Sequence, residues 1–173
     1  QNNDLIILNE LESIPGGLRQ ELSTFAESGG SLWVIPSDEV DLDNYNLLLS
    51  ELKAGGMLSA VEEETKVRSI NAESAIYRDI FESVPRNLDL PVAQKYYPLV
   101  SSLRSTEERL LEMQGGKSFL SVYSENGGKI YVQSVPLSVE ENNFSRHAIF
   151  VATALRIAEL SGDTDVLSAQ IGE

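Results

Sequence analysis

Two short apolar runs, Leu5-Ile6-Ile7-Leu8 and Leu32-Trp33-Val34-Ile35, stand on either side of one amphipathic stretch. No other feature of the chain constrains its fold as strongly. Each run has strand length and lacks polar alternation, the pattern of a strand buried on both faces of a sheet. Between them, Pro15 and Gly16-Gly17 interrupt the chain, and Leu18, Leu22 and Phe25 then recur at helical spacing. Gly29-Gly30 stands where a left-handed helix stop is needed. Strand, helix from about Leu18 to Ser28, and strand predict a right-handed parallel crossover.

The rest of the chain extends this unit. The segment from Ser37 to Asn44 is acidic and loop-like, and Tyr45, Leu48, Leu49 and Leu52 mark a short helix ended by Gly55-Gly56. A strand is expected near Lys66 to Asn71, a short helix from Ala75 to Phe81, and irregular extended chain from Val84 to Pro98 around three prolines. Leu110–Met113, Ser118–Tyr123 and Lys129–Val135 read as three strands. They are separated by Gln114-Gly115-Gly116-Lys117 and Glu125-Asn126-Gly127-Gly128, which are turn signals of an antiparallel meander, with one strand free to join the main sheet. A final helix from about Asn143 to Leu160 is apolar on more than one face and should be well buried; residues 163–173 read as a loose polar tail. The expected fold is α/β: a three-layer, doubly wound, mostly parallel sheet with an antiparallel extension, forming one domain over residues 1–173. The five Gly-Gly pairs show no fixed period, so no internal repeat is read.

Composition narrows the function. With 13 basic and 27 acidic residues the formal charge is −14, a field that repels nucleic-acid backbones and anionic lipid surfaces. The acid excess reads as a solvated, self-repelling surface. Cysteine is absent, which removes disulfides, thiolate nucleophiles and thiolate metal sites. No apolar run has the length of a membrane span. Because the chain opens almost directly on a strand, it is expected to be a piece of a longer protein.

The motifs of catalysis are missing in turn. A serine triad needs a histidine, and the single one, His147, sits beside Arg146 near the start of the last helix, with no Gly-x-Ser-x-Gly elbow anywhere. The acidic run Asp38-Glu39-Val40-Asp41-Leu42-Asp43 lacks the glycine and the closing glutamate of a calcium loop, so it reads as a solvated loop, as does Glu62-Glu63-Glu64. There is no Gly-x-Gly-x-x-Gly, and Gly115-Gly116-Lys117-Ser118 lies between two strands without opening a helix. No cofactor and no metal is expected. Paired carboxylates need no motif. The acids best placed for such work are Glu10 and Asp38, just after the first two strands, where open α/β sheets bind ligands. Asn9, Glu10, Ser37 and Asp38 should therefore cluster at one rim, as ligand-binding candidates.

The segments Asp4-Leu5-Ile6-Ile7-Leu8-Asn9-Glu10-Leu11, Phe25-Ala26-Glu27-Ser28-Gly29-Gly30 and Ser31-Leu32-Trp33-Val34-Ile35-Pro36 resemble the class I glutamine-amidotransferase-like fold, and Gly127 to Leu137 fits its closing strand. With Asn143 to Val151, the pattern is similar to the C-terminal part of aerotolerance-regulator (Bat) type membrane proteins. That resemblance implies a domain on the periplasmic side of the inner membrane, anchored through segments outside this sequence. Active amidotransferases carry a cysteine at the turn after a strand like Leu32–Ile35; here the turn is Pro36-Ser37-Asp38, so no catalytic residue carries over. The expected role is non-catalytic: an interaction or ligand-sensing module whose partner is a protein or a small ligand. A carboxylate-dependent hydrolase or lyase and a structural spacer are the alternatives.

Overall fold

The computed structural model describes residues 4–81, 88–101, 105–125, 127–138, 140 and 142–162. In chain order the elements are β1 (Leu5–Leu11), α1 (Gly16–Glu27), β2 (Ser31–Pro36), α2 (Leu42–Glu51), β3 (Gly56–Met57), β4 (Val61–Ile70), β5 (Val92–Tyr96), β6 (Leu99–Val100), β7 (Glu107–Met113), β8 (Ser118–Glu125), β9 (Gly128–Gln133) and α3 (Ala148–Gly162). Seven strands form one sheet in the order β1-β2-β9-β8-β7-β4-β5, and β3 and β6 form a small separate ribbon.

The crossover is present as expected. β1 and β2 are adjacent and parallel, Leu5 opposite Ser31 and Leu8 opposite Val34, with α1 between them in sequence. α1 begins at Gly16, directly after Pro15, so the Gly16-Gly17 pair is its first turn and not a break before it. Its end is a Schellman motif: Gly30 N donates to Phe25 O at 3.0 Å, Gly29 N donates to Ala26 O at 3.0 Å, and Gly29 takes a φ of 96°. Gly128 answers a different demand. A Cβ there would stand 2.3 Å from Gly30 O, so only glycine lets β9 close onto the turn that ends α1.

The meander is also present: β7, β8 and β9 pair antiparallel in sequence order, and β9 then joins β2 in parallel, Trp33 opposite Tyr131. The sheet is mixed, with a parallel block of β1, β2 and β9 and antiparallel junctions from β9 out to β5. Alternate residues of β2 feed two cores. Leu32 and Val34 pack with Leu22, Ala26, Leu48 and Leu49 of α1 and α2, whereas Trp33 and Ile35 belong with Ile149 and Ile157 of α3.

Several details differ from the sequence reading. The run Leu5–Leu8 is not buried on both faces, because β1 is an edge strand and Ile7 is 48% exposed. Residues 75–80 form successive turns and no helix; buried Ile76 and Tyr77 are held by tertiary contacts, the Tyr77 hydroxyl meeting Thr153 Oγ1 at 2.7 Å. Within the stretch read as irregular, residues 92–96 form β5, because Pro91 precedes the strand and none interrupts it; residues 84–87 of that stretch lie outside the described residues. β4 is longer than the strand expected at 66–71. The last helix is preceded by a separate 3₁₀ turn, Phe144–Arg146, and is buried along Ile149, Thr153, Ile157 and Ser161 only. Its opposite side, Val151 and Leu155, faces solvent. The tail 163–173 lies outside the described residues.

Two substitutions test this packing by urea denaturation. Leu22 is 1% exposed and Leu18 is 38% exposed, so Leu22→Ala should cost about 2–5 kcal/mol and Leu18→Ala well under half of that. Gly128→Ala should cost about 1–3 kcal/mol, because backbone and not a flexible side chain meets the added methyl.

Candidate functional site

The carboxyl ends of β1 and β2 frame a shallow depression of about 230 Å³ lined by Glu10, Glu12, Ser37, Asp38 and Glu39. Three of the four residues expected at this rim, Glu10, Ser37 and Asp38, therefore do meet. Asn9 does not line it; it is exposed on β1, paired with Ile35 across the strands.

Glu10 owes its position to a bulge. The register between β1 and β2 shifts from Asn9 to Leu11, and Glu10 adopts a φ of 54°, a left-handed conformation that few residues other than glycine adopt. The bulge re-aims its side chain toward the segment after β9. There Glu10 Oε1 accepts hydrogen bonds from Leu137 N at 2.8 Å and Ser138 N at 2.9 Å. Strained backbone of this kind persists only where its surroundings over-determine it, and two hydrogen bonds to a carboxylate do so here.

Ser37 is buried, and its hydroxyl donates to Glu39 O at 2.5 Å. Asp38 is held by its backbone: its carbonyl accepts from Lys95 Nζ and from the Tyr97 hydroxyl, each at 2.7 Å. Asp38 Oδ1 is buried without a hydrogen-bond partner. Tyr97 reaches the rim because the chain leaving β5 crosses the end of β9, where Tyr97 N donates to Ser134 O at 2.7 Å. Beneath the rim the Tyr45 hydroxyl donates to Leu11 O at 2.5 Å. Burial, with smaller contributions from Tyr97 and Glu10, pushes its ionisation from 10.0 up to about 12.

Sequence reasoning missed Glu12, Glu39, Lys95, Tyr97 and the 137–138 amides. The first two lie within two residues of the chosen acids and were within reach of the same argument. Lys95 and Tyr97 arrive from the far edge of the sheet, and nothing local in the sequence signals that path.

Within the acidic run, Asp41 caps α2, its carboxylate accepting from Asn44 N at 3.1 Å; no cluster of three or more His, Asp or Glu side chains that could hold a metal ion occurs among the described residues. His147 stands with Nε2 3.5 Å from Asp89 Oδ2, while Ser37 keeps its own bond to Glu39.

No family model and no curated protein matches the chain. Solved structures do match its fold. The cytoplasmic protein STM3548 from Salmonella typhimurium is 12% identical, with a TM-score of 0.65 over 90% of this chain and 70% of that one. A cold-adapted β-galactosidase from Rahnella sp. R3 is 14% identical, with a TM-score of 0.63 over 91% of this chain and 23% of the enzyme. A ThuA-like protein from Bacteroides uniformis is 14% identical, with a TM-score of 0.59 over 94% and 71%. The chain shares its α/β fold with these structures. At these identities the likeness concerns fold alone.

Two outcomes check the site. Glu10→Ala should cost about 1.5–3 kcal/mol through two amides left without their carboxylate; Glu10→Gln keeps an acceptor and should cost less than half as much, both read by urea denaturation. The second concerns alkali. Above pH 10 the unfolded chain releases phenolic protons that folded Tyr45 and Tyr131 retain until about pH 12. Their contribution to stability is thus complete below pH 10 and lost as pH rises toward 12. Phenolate absorbance and circular dichroism should change together across that window, and Tyr45→Phe should shift the transition to higher pH.

Proposed function

We propose that this chain is a non-catalytic binding domain whose contact site is the acidic rim formed by Glu10, Glu12, Asp38 and Glu39, on a doubly wound amidotransferase-like fold. The observation that carries this reading is the state of Ser37. It stands after β2, in the turn where the resembling enzymes place a nucleophile, yet it is buried and its proton is engaged by Glu39 O. A serine hydroxyl attacks only when a base takes its proton, and the Ser37 hydroxyl meets a backbone carbonyl, Glu39 O, in place of a base. The two helix-covered cores on either side of β2 support the doubly wound layering.

The rim favours a cationic or amine-bearing group. Carboxylates surround the depression, and buried Asp38 Oδ1 lacks a donor, which a ligand N–H would supply. Placement on the periplasmic side of a membrane rests on the Bat-type resemblance. No helix among the described residues is long and apolar enough to cross a membrane, so anchoring of that kind would come from segments outside this sequence.

A second reading, a carboxylate-dependent hydrolase or lyase, draws on Glu10 and Asp38 sharing one depression. It is weakened by Glu10 Oε1 being already bound to two amides.

The tests separate the readings. Incubated with glutamine, with or without chelator, the protein should release no ammonia; turnover that disappears in Ser37→Ala would overturn the proposal. In thermal denaturation, small polyamines should raise Tm and dicarboxylates should not, and Asp38→Asn should remove the polyamine effect. If no amine shifts Tm, the spacer reading stands instead.

A further inference from the structure

The two edges of the seven-stranded sheet differ. Along β5 the segment after β9 covers the strand: Ala93 forms a bridge with Asn142, Asn143 N donates to Val92 O at 3.2 Å, and Asn143 Oδ1 accepts from Val92 N at 2.9 Å. Along β1 no described residue pairs the outer edge. Proteins protect such edges with lysine, proline, inward charges, bulges or a covering segment. Among the described residues, β1 from Leu5 to Asn9 has none of these, and its bulge comes only at Asn9–Leu11.

Apolar surface lies beside this edge. Leu5 packs into the core that α3 covers, and the alternation of a strand puts Ile7 on that same face. Ile7 is 48% exposed.

We propose that the outer edge of β1 is a strand-addition site, taking an extended segment of a partner polypeptide that is apolar at alternate positions and basic at its ends. The unpaired strand edge asks for an extended backbone, and side chains two residues apart on the added strand would stand beside exposed Ile7. Charge selects the occupant. Exposed Asp4 and Glu12 lie at the two ends of β1, with no basic residue between them. A segment with Lys or Arg at its ends complements that pattern. A second copy brings the same acids on a chain of charge −14.

The probe is a synthetic peptide, Lys-Val-Thr-Val-Thr-Val-Lys, added to the 173-residue chain, with two controls: the same peptide with glutamate ends, and one N-methylated at alternate backbone nitrogens. Calorimetry should show binding that weakens with added salt and falls about tenfold or more with glutamate ends. It should vanish on N-methylation and in Ile7→Lys. Amide hydrogen exchange should slow between Leu5 and Asn9. Leu47→Lys, at an equally exposed site on α2 (52%), should leave binding unchanged. Circular dichroism confirms that each variant is folded. Absence of binding, equal binding of the N-methylated peptide, or protection confined to another segment would overturn the proposal. So would a concentration-dependent dimer abolished by Ile7→Lys, which would assign the edge to a second copy.

Discussion

Every residue of β2 from Ser31 to Pro36 is buried, and the rest of the molecule is arranged around that fact. A strand buried on both faces and along both edges needs a neighbour on each side and a covering layer above and below. β1 and β9 supply the neighbours, α1 and α2 cover Leu32 and Val34, and α3 covers Trp33 and Ile35. The approach of β9 is close enough that Gly128 must lack a side chain opposite Gly30 O. The same closeness lets Lys129 N donate to Ser31 Oγ at 3.2 Å. Loss of packing at any of these contacts propagates to β2, because its buried backbone amides and carbonyls take their hydrogen bonds from β1 and β9.

The rim follows from where β1 and β2 end. Parallel strands deliver their carboxyl ends together, and the bulge at Glu10 turns one carboxylate across to the segment leading toward α3. The rim is thereby tied on both sides: Glu10 secures residues 137–138, and the Asp38 carbonyl secures Lys95 and Tyr97. The chemistry of the site is that of fixed carboxylates. The Ser37 hydroxyl is held by Glu39 O, and the Tyr97 hydroxyl by Asp38 O.

Much of this was legible in the sequence wherever burial and local chain chemistry agree. The crossover and the meander were readable because apolar runs of strand length alternate with glycine-rich stops, and the Schellman end of α1 was readable at Gly29-Gly30. The rim was readable because topology alone sends Glu10, Ser37 and Asp38 to one end of the sheet. What failed was information held by partners distant in sequence. Leu5–Leu8 has the composition of a central strand, and nothing within it says that no described strand lies outside it. Residues 75–80 have helical spacing, but Tyr77 is claimed by Thr153 across the molecule. Tyr97 reaches Asp38 only because the chain after β5 crosses the end of β9. The outer face of α3 reads as core because its exposed residues are as apolar as its buried ones.

The union of β2 with β9 also sets an order of events during folding. Ser31 and Lys129 are 98 residues apart, whereas β7, β8 and β9 are joined by short turns. Closing so long a loop before it is rewarded by contacts is slow compared with forming hairpins. The meander can therefore assemble by itself while the β1–α1–β2 unit waits, paired on one side and bare on the other. During synthesis from the amino terminus, that half-finished unit leaves the ribosome before the meander. It stays incomplete until the third quarter of the chain emerges, so the interval between the two is when the nascent chain presents its most buried strand to other proteins.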